Sequence, residues 1–348
     1  MESQSKITIW RFTDENIGHD QQSIGLVGKL ASQVKADIYT VSVQDKGVGL
    51  MPALRGQYRF EHSLPSPDLI VGAGHRTHIP MLSARANRGG KIIVLMKPSL
   101  PVSWFDLCLV PEHDGVKHPG RECLHLTKGV LNSMAHSGHH DIFRGVFLIG
   151  GPCKHSAWSD DGVCEQVVDI CRQQPKVRYS LTNSRRTPDG FLQKMRAQSL
   201  PNLKIMSFAE TSADWVSKQL TTAHQSWVSA DSVSMVYEAL TAGASVGILD
   251  VPLRENSRIA NGLAHLVEQN WVVPHRDWAA GESLKRKQEP LAEASRCADL
   301  VRERWLSHVA QQPAINVVTA LVAKKDVVRV SRDEAIEADS LSRSASAR

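Results

Sequence analysis

Short runs of β-branched and other apolar residues alternate along this chain with stretches of helical periodicity, and the alternation starts afresh near the middle. Parallel strands can be joined only through a crossover, usually a helix, so the pattern restricts the chain to α/β architecture. Strands are expected at 6–12, 36–43, 67–73, 91–96 and 106–111, with helices at 21–33 and 77–87. Residues 127–141 are loop-like and read as a junction. Arg144-Gly-Val-Phe-Leu-Ile-Gly150 then opens a second series, with strands at 144–150, 176–182, 203–208, 224–229 and 245–250 and a helix at 160–173. The expected fold is two Rossmann-like domains facing each other across a cleft. They would cover 1–143 and 144–323, with the last helices (about 290–321) able to return to the first domain and a disordered polar tail over 324–348.

The composition sets limits on function. A length of 348 residues, 42% hydrophobic and 22% charged, suits two globular domains. A net charge of +5, spread along the chain, favours a phosphate-bearing ligand or an anionic surface and argues against nucleic acid as a partner. The six cysteines form no C-x-x-C pair, which points to a reducing compartment. No apolar run approaches the roughly 20 residues that span a bilayer, and the first strand begins too early to leave room for a signal peptide. A cytoplasmic location is expected; Lys46-Gly-Val-Gly-Leu-Met-Pro-Ala-Leu-Arg55, an apolar loop bracketed by bases, suits either a peripheral membrane contact or a plain buried loop.

Ligands of open α/β sheets bind at the carboxyl ends of the strands, so the residues just after each strand carry most information. After the first strand, Gly18 allows a tight turn and His19 is placed as a general base, unless it is a plain loop histidine beside a helix capped by Asp20 or Ser23. After the third, Gly72 and Gly74 let backbone approach a ligand, while His75, Arg76 and His78 supply polar groups; the spacing is not a dinucleotide fingerprint. Glu112, His113 and Asp114 follow the last strand of the first half and are expected to face the cleft. With His118, His125, His136, His139 and His140 they match no metal-site spacing, so no metal is assigned.

In the second half, Gly150 and Gly151 make a turn suited to phosphate, and Lys154 would neutralise its charge. Ser184, Arg185 and Arg186 follow the next strand, the two arginines suited to bidentate bonds with phosphate oxygens. Ser229, Asp231 and Ser232 crowd the start of a helix whose Glu238 would reach a ribose hydroxyl. Arg258 and Asn261 share one face of a later helix.

Five of these stretches, taken in order, resemble the mitochondrial-fission "elongated mitochondria" family: Pro67-Asp-Leu-Ile-Val-Gly-Ala-Gly-His-Arg-Thr-His78, Asp106-Leu-Cys-Leu-Val-Pro-Glu-His-Asp114, Gly150-Gly-Pro-Cys-Lys-His155, Thr182-Asn-Ser-Arg-Arg-Thr-Pro188 and Ser229-Ala-Asp-Ser-Val-Ser-Met235. That family is in turn similar to GT-B glycosyltransferases. The more distant resemblance implies an acceptor loop at Gly18-His19, a second glycine loop at Gly72–His75, and a nucleotide-binding helix in Ser229–Gly243 with Glu238 on the ribose. It also places Asn256 to Asn261 near the donor sugar or diphosphate. The implied activity is metal-independent transfer from a nucleoside-diphosphate sugar, held as co-substrate by the second domain, to an acceptor held by the first. Lys154, Arg185 and Arg186 would stabilise the departing diphosphate and His19 would activate the acceptor. Two alternatives remain: 2-epimerisation of a nucleotide sugar, and a non-catalytic scaffold that recruits a membrane-remodelling protein.

Overall fold

The computed structural model describes residues 6–43, 64–116, 121–255, 257–309, 318–322 and 327–329. The loop 46–55, His118 and Asn256 lie outside them. The first half contains β1 (Ile7–Thr13), α1 (Ile17–Gln33), β2 (Ala36–Ser42), β3 (Leu69–Ala73), α2 (His75–Arg88), β4 (Lys91–Leu95), β5 (Leu107–Pro111) and β6 (Leu124–Thr127). There follow β7 (Asp141–Leu148), α3 (Asp160–Gln173), β8 (Arg178–Thr182), α4 (Gly190–Ala197), β9 (Leu203–Met206), α5 (Trp215–Leu220), β10 (Ala223–Ser229), α6 (Val233–Ala242), β11 (Ser245–Leu249), α7 (Arg258–Glu268), β12 (Val272–Pro274) and α8 (His275–Ala279). The chain closes with α9 (Glu293–Trp305), β13 (Val318–Val322) and β14 (Val327–Arg329). Two compact units result, one of 1–133 with 293–348 and one of 134–292. These limits compare with 144 and 323 read from the strand pattern. Of the tail at 324–348 only β14 is described, paired antiparallel with β13.

The first unit holds an eight-stranded sheet in the order β14-β13-β2-β1-β3-β4-β5-β6, parallel except for the β13–β14 pair. Its strands are apolar on both faces, as a sheet covered on both sides requires. Ile7, Ile9, Leu69, Val71, Ile93, Leu95, Leu107 and Leu109 pack with Leu26, Val27 and Leu30 of α1 and with Ala294, Cys297, Ala298 and Val301 of α9. Their neighbours Trp10, Phe12, Ile70, Ile92, Val94, Cys108 and Val110 pack on the other side with Met81 and Leu82 of α2. The residues of α9 thus complete the core of the first unit although they lie at the far end of the sequence.

The second unit holds a six-stranded sheet, β12-β11-β10-β7-β8-β9, parallel throughout. In order of appearance the strands run 3-2-1-4-5-6 from its β9 edge, the Rossmann arrangement. Trp227 is fully buried in β10, with the Trp278 ring edge-on at 5.2 Å. All six cysteines are free. No described helix is long and apolar enough to cross a membrane.

Candidate active site

In the first sheet the strand order reverses direction between β1 and β3, the switch point at which such sheets bind ligands. The loops after these two strands meet there. Asn16 caps α1 by accepting the N–H groups of Gly18 at 3.0 Å and His19 at 3.4 Å. The helix therefore starts at 17 rather than 21, and His19 sits in its first turn, not in a preceding loop. Asp20 and Ser23 do not cap; they hold Arg11 of β1 at 2.8 and 3.1 Å.

His19 Nδ1 faces both carboxylate oxygens of Asp14, at 3.0 and 2.9 Å. The Asp14 side chain is 4% exposed and that of His19 22%. A carboxylate on Nδ1 stabilises the tautomer that carries its proton there, which leaves the Nε2 lone pair as a base. Nε2 has no partner among the described residues. Gly74, at φ +86°, closes over the pair: a β-carbon there would lie 2.8 Å from Asp14 Oδ2 and closer still to the imidazole. Only glycine permits that conformation and that approach.

Gly74 also ends β3 and precedes α2, so His75 and Arg76 open that helix, both exposed. Gly72 lies in β3 against Met81 and Thr77. His78 turns inward, with Nδ1 3.1 Å from Ser99 Oγ, and burial lowers its imidazole to about 4 with His75 adding to the effect. It is a neutral core histidine, not a ligand group. Glu112 is exposed in a short 3-10 turn after β5, where His113 and Asp114 approach each other at 3.7 Å, both side chains buried. Among the described residues no group of His, Cys, Asp or Glu could hold a metal ion.

In the second sheet the switch point falls between β7 and β10. The loops after β7, β8 and β10 close into one hydrogen-bonded cluster. Ser229 Oγ accepts the Gly150 N–H at 2.7 Å. Asp231 Oδ2 accepts the Gly151 N–H at 3.0 Å, Arg186 Nη2 at 2.8 Å and Ser232 Oγ at 3.0 Å. Arg186 also donates to Gly151 O at 2.9 Å and to Ser232 Oγ at 3.0 Å. Ser184 Oγ and Thr187 Oγ1 donate to Gly150 O. A β-carbon on Gly151 would collide with the Arg186 carbonyl, so this approach of two backbones needs glycine.

The cluster is asymmetric in exposure. The Asp231 side chain is wholly buried, while Arg186 keeps 42% of its side chain in solvent. Lys154 and Arg185 are exposed at the same carboxyl edge of the sheet and make no ion pair among the described residues. The free amides at the start of α6 add a partial positive charge. Further along α6, Glu238 has no hydrogen-bond partner among the described residues, and burial pushes its carboxyl up to about 7. Arg258 and Asn261 lie exposed in the first turn of α7, capped by Ser257, and do not belong to the Asp231 cluster.

The structure thus joins Gly150, Gly151, Ser184, Arg186, Ser229, Asp231 and Ser232 in one network and places His19 beside Gly74. Asp14 and Thr187 are additions that the sequence reading lacked. A carboxylate five residues before a histidine was the available signal for Asp14, but the spacing fits no regular element.

Known proteins share parts of this chain. A curated relative, "Uncharacterized protein RP120" of Rickettsia prowazekii (strain Madrid E), is 28% identical over 120 residues, 31% of this chain and 32% of its own length. The chain therefore spans about a third of the length of that relative. Among solved structures, a UDP-N-acetylglucosamine 2-epimerase aligns at TM-score 0.55 with 12% identity, over 90% of this chain and 100% of its own. The UDP-GlcNAc 2-epimerase of Methanocaldococcus jannaschii aligns at 0.52 with 9% identity, over 86% and 100%. The calicheamicin glycosyltransferase CalG4 aligns at 0.50 with 14% identity, over 88% and 100%. These likenesses establish the two-domain, Rossmann-like GT-B fold. A family model described as Mitochondrial fission ELM1 matches residues 17–305, and the chain belongs to that family.

Proposed function

We propose that this protein is an enzyme acting on a nucleoside-diphosphate sugar, bound at the carboxyl edge of the second sheet. The observation that carries the reading is the cluster at the β7–β10 switch point. There Asp231 fixes the Arg186 guanidinium, whose exposed side shares the carboxyl edge of the sheet with the loops that carry Lys154 and Arg185. Three cations against one buried carboxylate, beside a helix N-terminus, suit a diphosphate that gains charge as it departs. Glu238 supports the ribose, as a carboxyl without a hydrogen-bond partner among the described residues. His19, oriented by Asp14, supplies the base.

Two reactions draw on these groups. Inversion at sugar carbon 2 needs a base to take that carbon's proton as the nucleoside diphosphate leaves carbon 1, then a proton returned to the opposite face of carbon 2 as the diphosphate adds back, and no acceptor. Transfer needs the same base to deprotonate an acceptor hydroxyl. Inversion has the better support, since two of the proteins of like fold are 2-epimerases. Incubation of the protein with UDP-, GDP-, CDP- and dTDP-sugars in deuterium oxide separates them. Deuterium at carbon 2 without any acceptor is the result expected of an epimerase, and free diphosphate formed only with an acceptor identifies a transferase. The cluster also satisfies its own donors at Gly150 and Gly151, which suits a scaffold with no ligand. Binding of no nucleotide sugar at all would establish that reading instead.

A further inference from the structure

The opposite edge of the second sheet, at the amino ends of its strands, carries a feature that the nucleotide-sugar reading does not use. Pairing of β7 with β10 passes from Asp141↔Ala223 to Gly145↔Gln225, so residues 142–144 stand opposite His224 alone. Such a bulge bends the strand and re-aims its side chains. Here it turns Ile142 and Phe143 into solvent, 59% and 47% exposed, while residues 145–148 are buried. The bulge is held in place. Asp141 N–H donates to Thr222 O at 2.9 Å, the Phe143 N–H donates to Asp141 Oδ1 at 2.9 Å, and Asp141 Oδ2 lies 3.4 Å from Arg144 and 3.3 Å from Arg178. Two adjacent large apolar side chains are therefore kept in water by a fixed backbone rather than by fraying.

Their surroundings are basic. A cavity of about 440 Å³ at this edge is lined by Arg144, Arg178 and Lys204, and a second, of about 530 Å³, by Arg144 and Arg286. Among the described residues, Asp141 supplies the sole carboxylate in either lining. We infer that this edge, with Ile142 and Phe143 as the inserting pair and Arg144, Arg178, Lys204 and Arg286 on the same edge, docks the protein peripherally on an anionic lipid surface. Charge complementarity selects that occupant. Exposed apolar side chains on an edge that carries several cations match the acyl boundary beneath a layer of anionic headgroups. A pair of side chains is too small for a stable protein interface, which buries roughly 800 Å² per partner. The proposal is independent of the nucleotide-sugar reading.

The test is cosedimentation of the full-length protein with phosphatidylcholine vesicles, with and without phosphatidylserine. Binding is expected only with the anionic lipid, and it should weaken as salt rises from about 0.1 M to 1 M, where the Debye length falls from roughly 10 to 3 Å. Ile142→Ser with Phe143→Ser should lower the partition coefficient at least tenfold, and Arg144→Gln with Arg178→Gln by about fivefold per charge removed. Ile142 and Phe143 are exposed, so the serine variant should melt with the parent; an unaltered melt accompanied by lost binding is the supporting result. Failure to bind anionic vesicles overturns the proposal, as does binding that survives both pairs of changes. A second copy of the chain on this face, seen as an oligomer in light scattering that the serine variant dissociates, overturns it equally.

Discussion

Glu238→Gln should stabilise the unliganded protein at alkaline pH and have little effect under acid conditions. The parent carboxyl has an ordinary value of 4.5 and a folded value of about 7, raised by burial. Between those limits the folded protein keeps a proton that the unfolded chain has lost. Stability therefore falls as pH rises from 4.5 to 7, by about 1.4 kcal/mol per pH unit and about 3 kcal/mol in all, and the loss is complete above 7. Glutamine matches the shape of the neutral acid and does not titrate, so the variant lacks this decline. Urea denaturation of both proteins across pH 4 to 8 measures the difference. Curves that coincide below pH 4.5 and separate by about 3 kcal/mol at pH 8 support the reasoning. Curves that stay parallel across the range refute it, because a carboxyl in its ordinary range gives no slope there. The same group ties stability to function. A ribose hydroxyl that donates to Glu238 favours its ionised form, so nucleotide binding near pH 7 should release about half a proton, visible as a buffer-dependent calorimetric heat.

Other substitutions follow from the geometry. His19→Ala should lower turnover by roughly 10²–10⁴-fold with nucleotide affinity retained, and Asp14→Asn should lower kcat less while shifting its pH profile; unchanged kinetics in both would remove the pair from the reaction. Asp231→Asn should cost about 1–3 kcal/mol in denaturation, since Arg186 loses its carboxylate, and should tighten binding of inorganic diphosphate; an unchanged melt and affinity would contradict the network. Gly74→Ala should cost roughly 1–3 kcal/mol through its backbone conformation alone and should also displace His19. A variant as stable and as active as the parent would show that the close approach at Gly74 is not needed.

Much of the fold was legible because its periodic signals are long. Helix α3 occupies the residues its apolar spacing indicates, and β1, β3, β4 and β10 fall within two residues of expectation at either end. The strands β6 and β12 escaped because four and three residues give too few alternations to stand out. The bulge in β7 hid its start, since Ile142 and Phe143 face solvent where a regular strand would bury one of them. Site residues were legible as types at strand ends, but not as partners. Arg186 and Asp231 lie 45 positions apart and meet because the strands before their loops, β8 and β10, both flank β7. Asp14 and His19 meet across a strand–helix turn whose geometry depends on Asn16 and on the distant Gly74. His78 lies in a motif rich in exposed polar groups, yet the helical turn that exposes His75 carries it into the core.

The central claim is that the second unit binds a nucleoside diphosphate. Its most direct test is a thermal-shift panel of UDP, GDP, CDP and dTDP with the parent and with Arg185→Gln/Arg186→Gln. A ligand present at about 100 times its Kd adds about 2.7 kcal/mol, a readily measured rise in Tm. The account predicts a rise with one diphosphate that is lost in the double variant. No rise with any of the four, or a rise that the variant keeps in full, would contradict it.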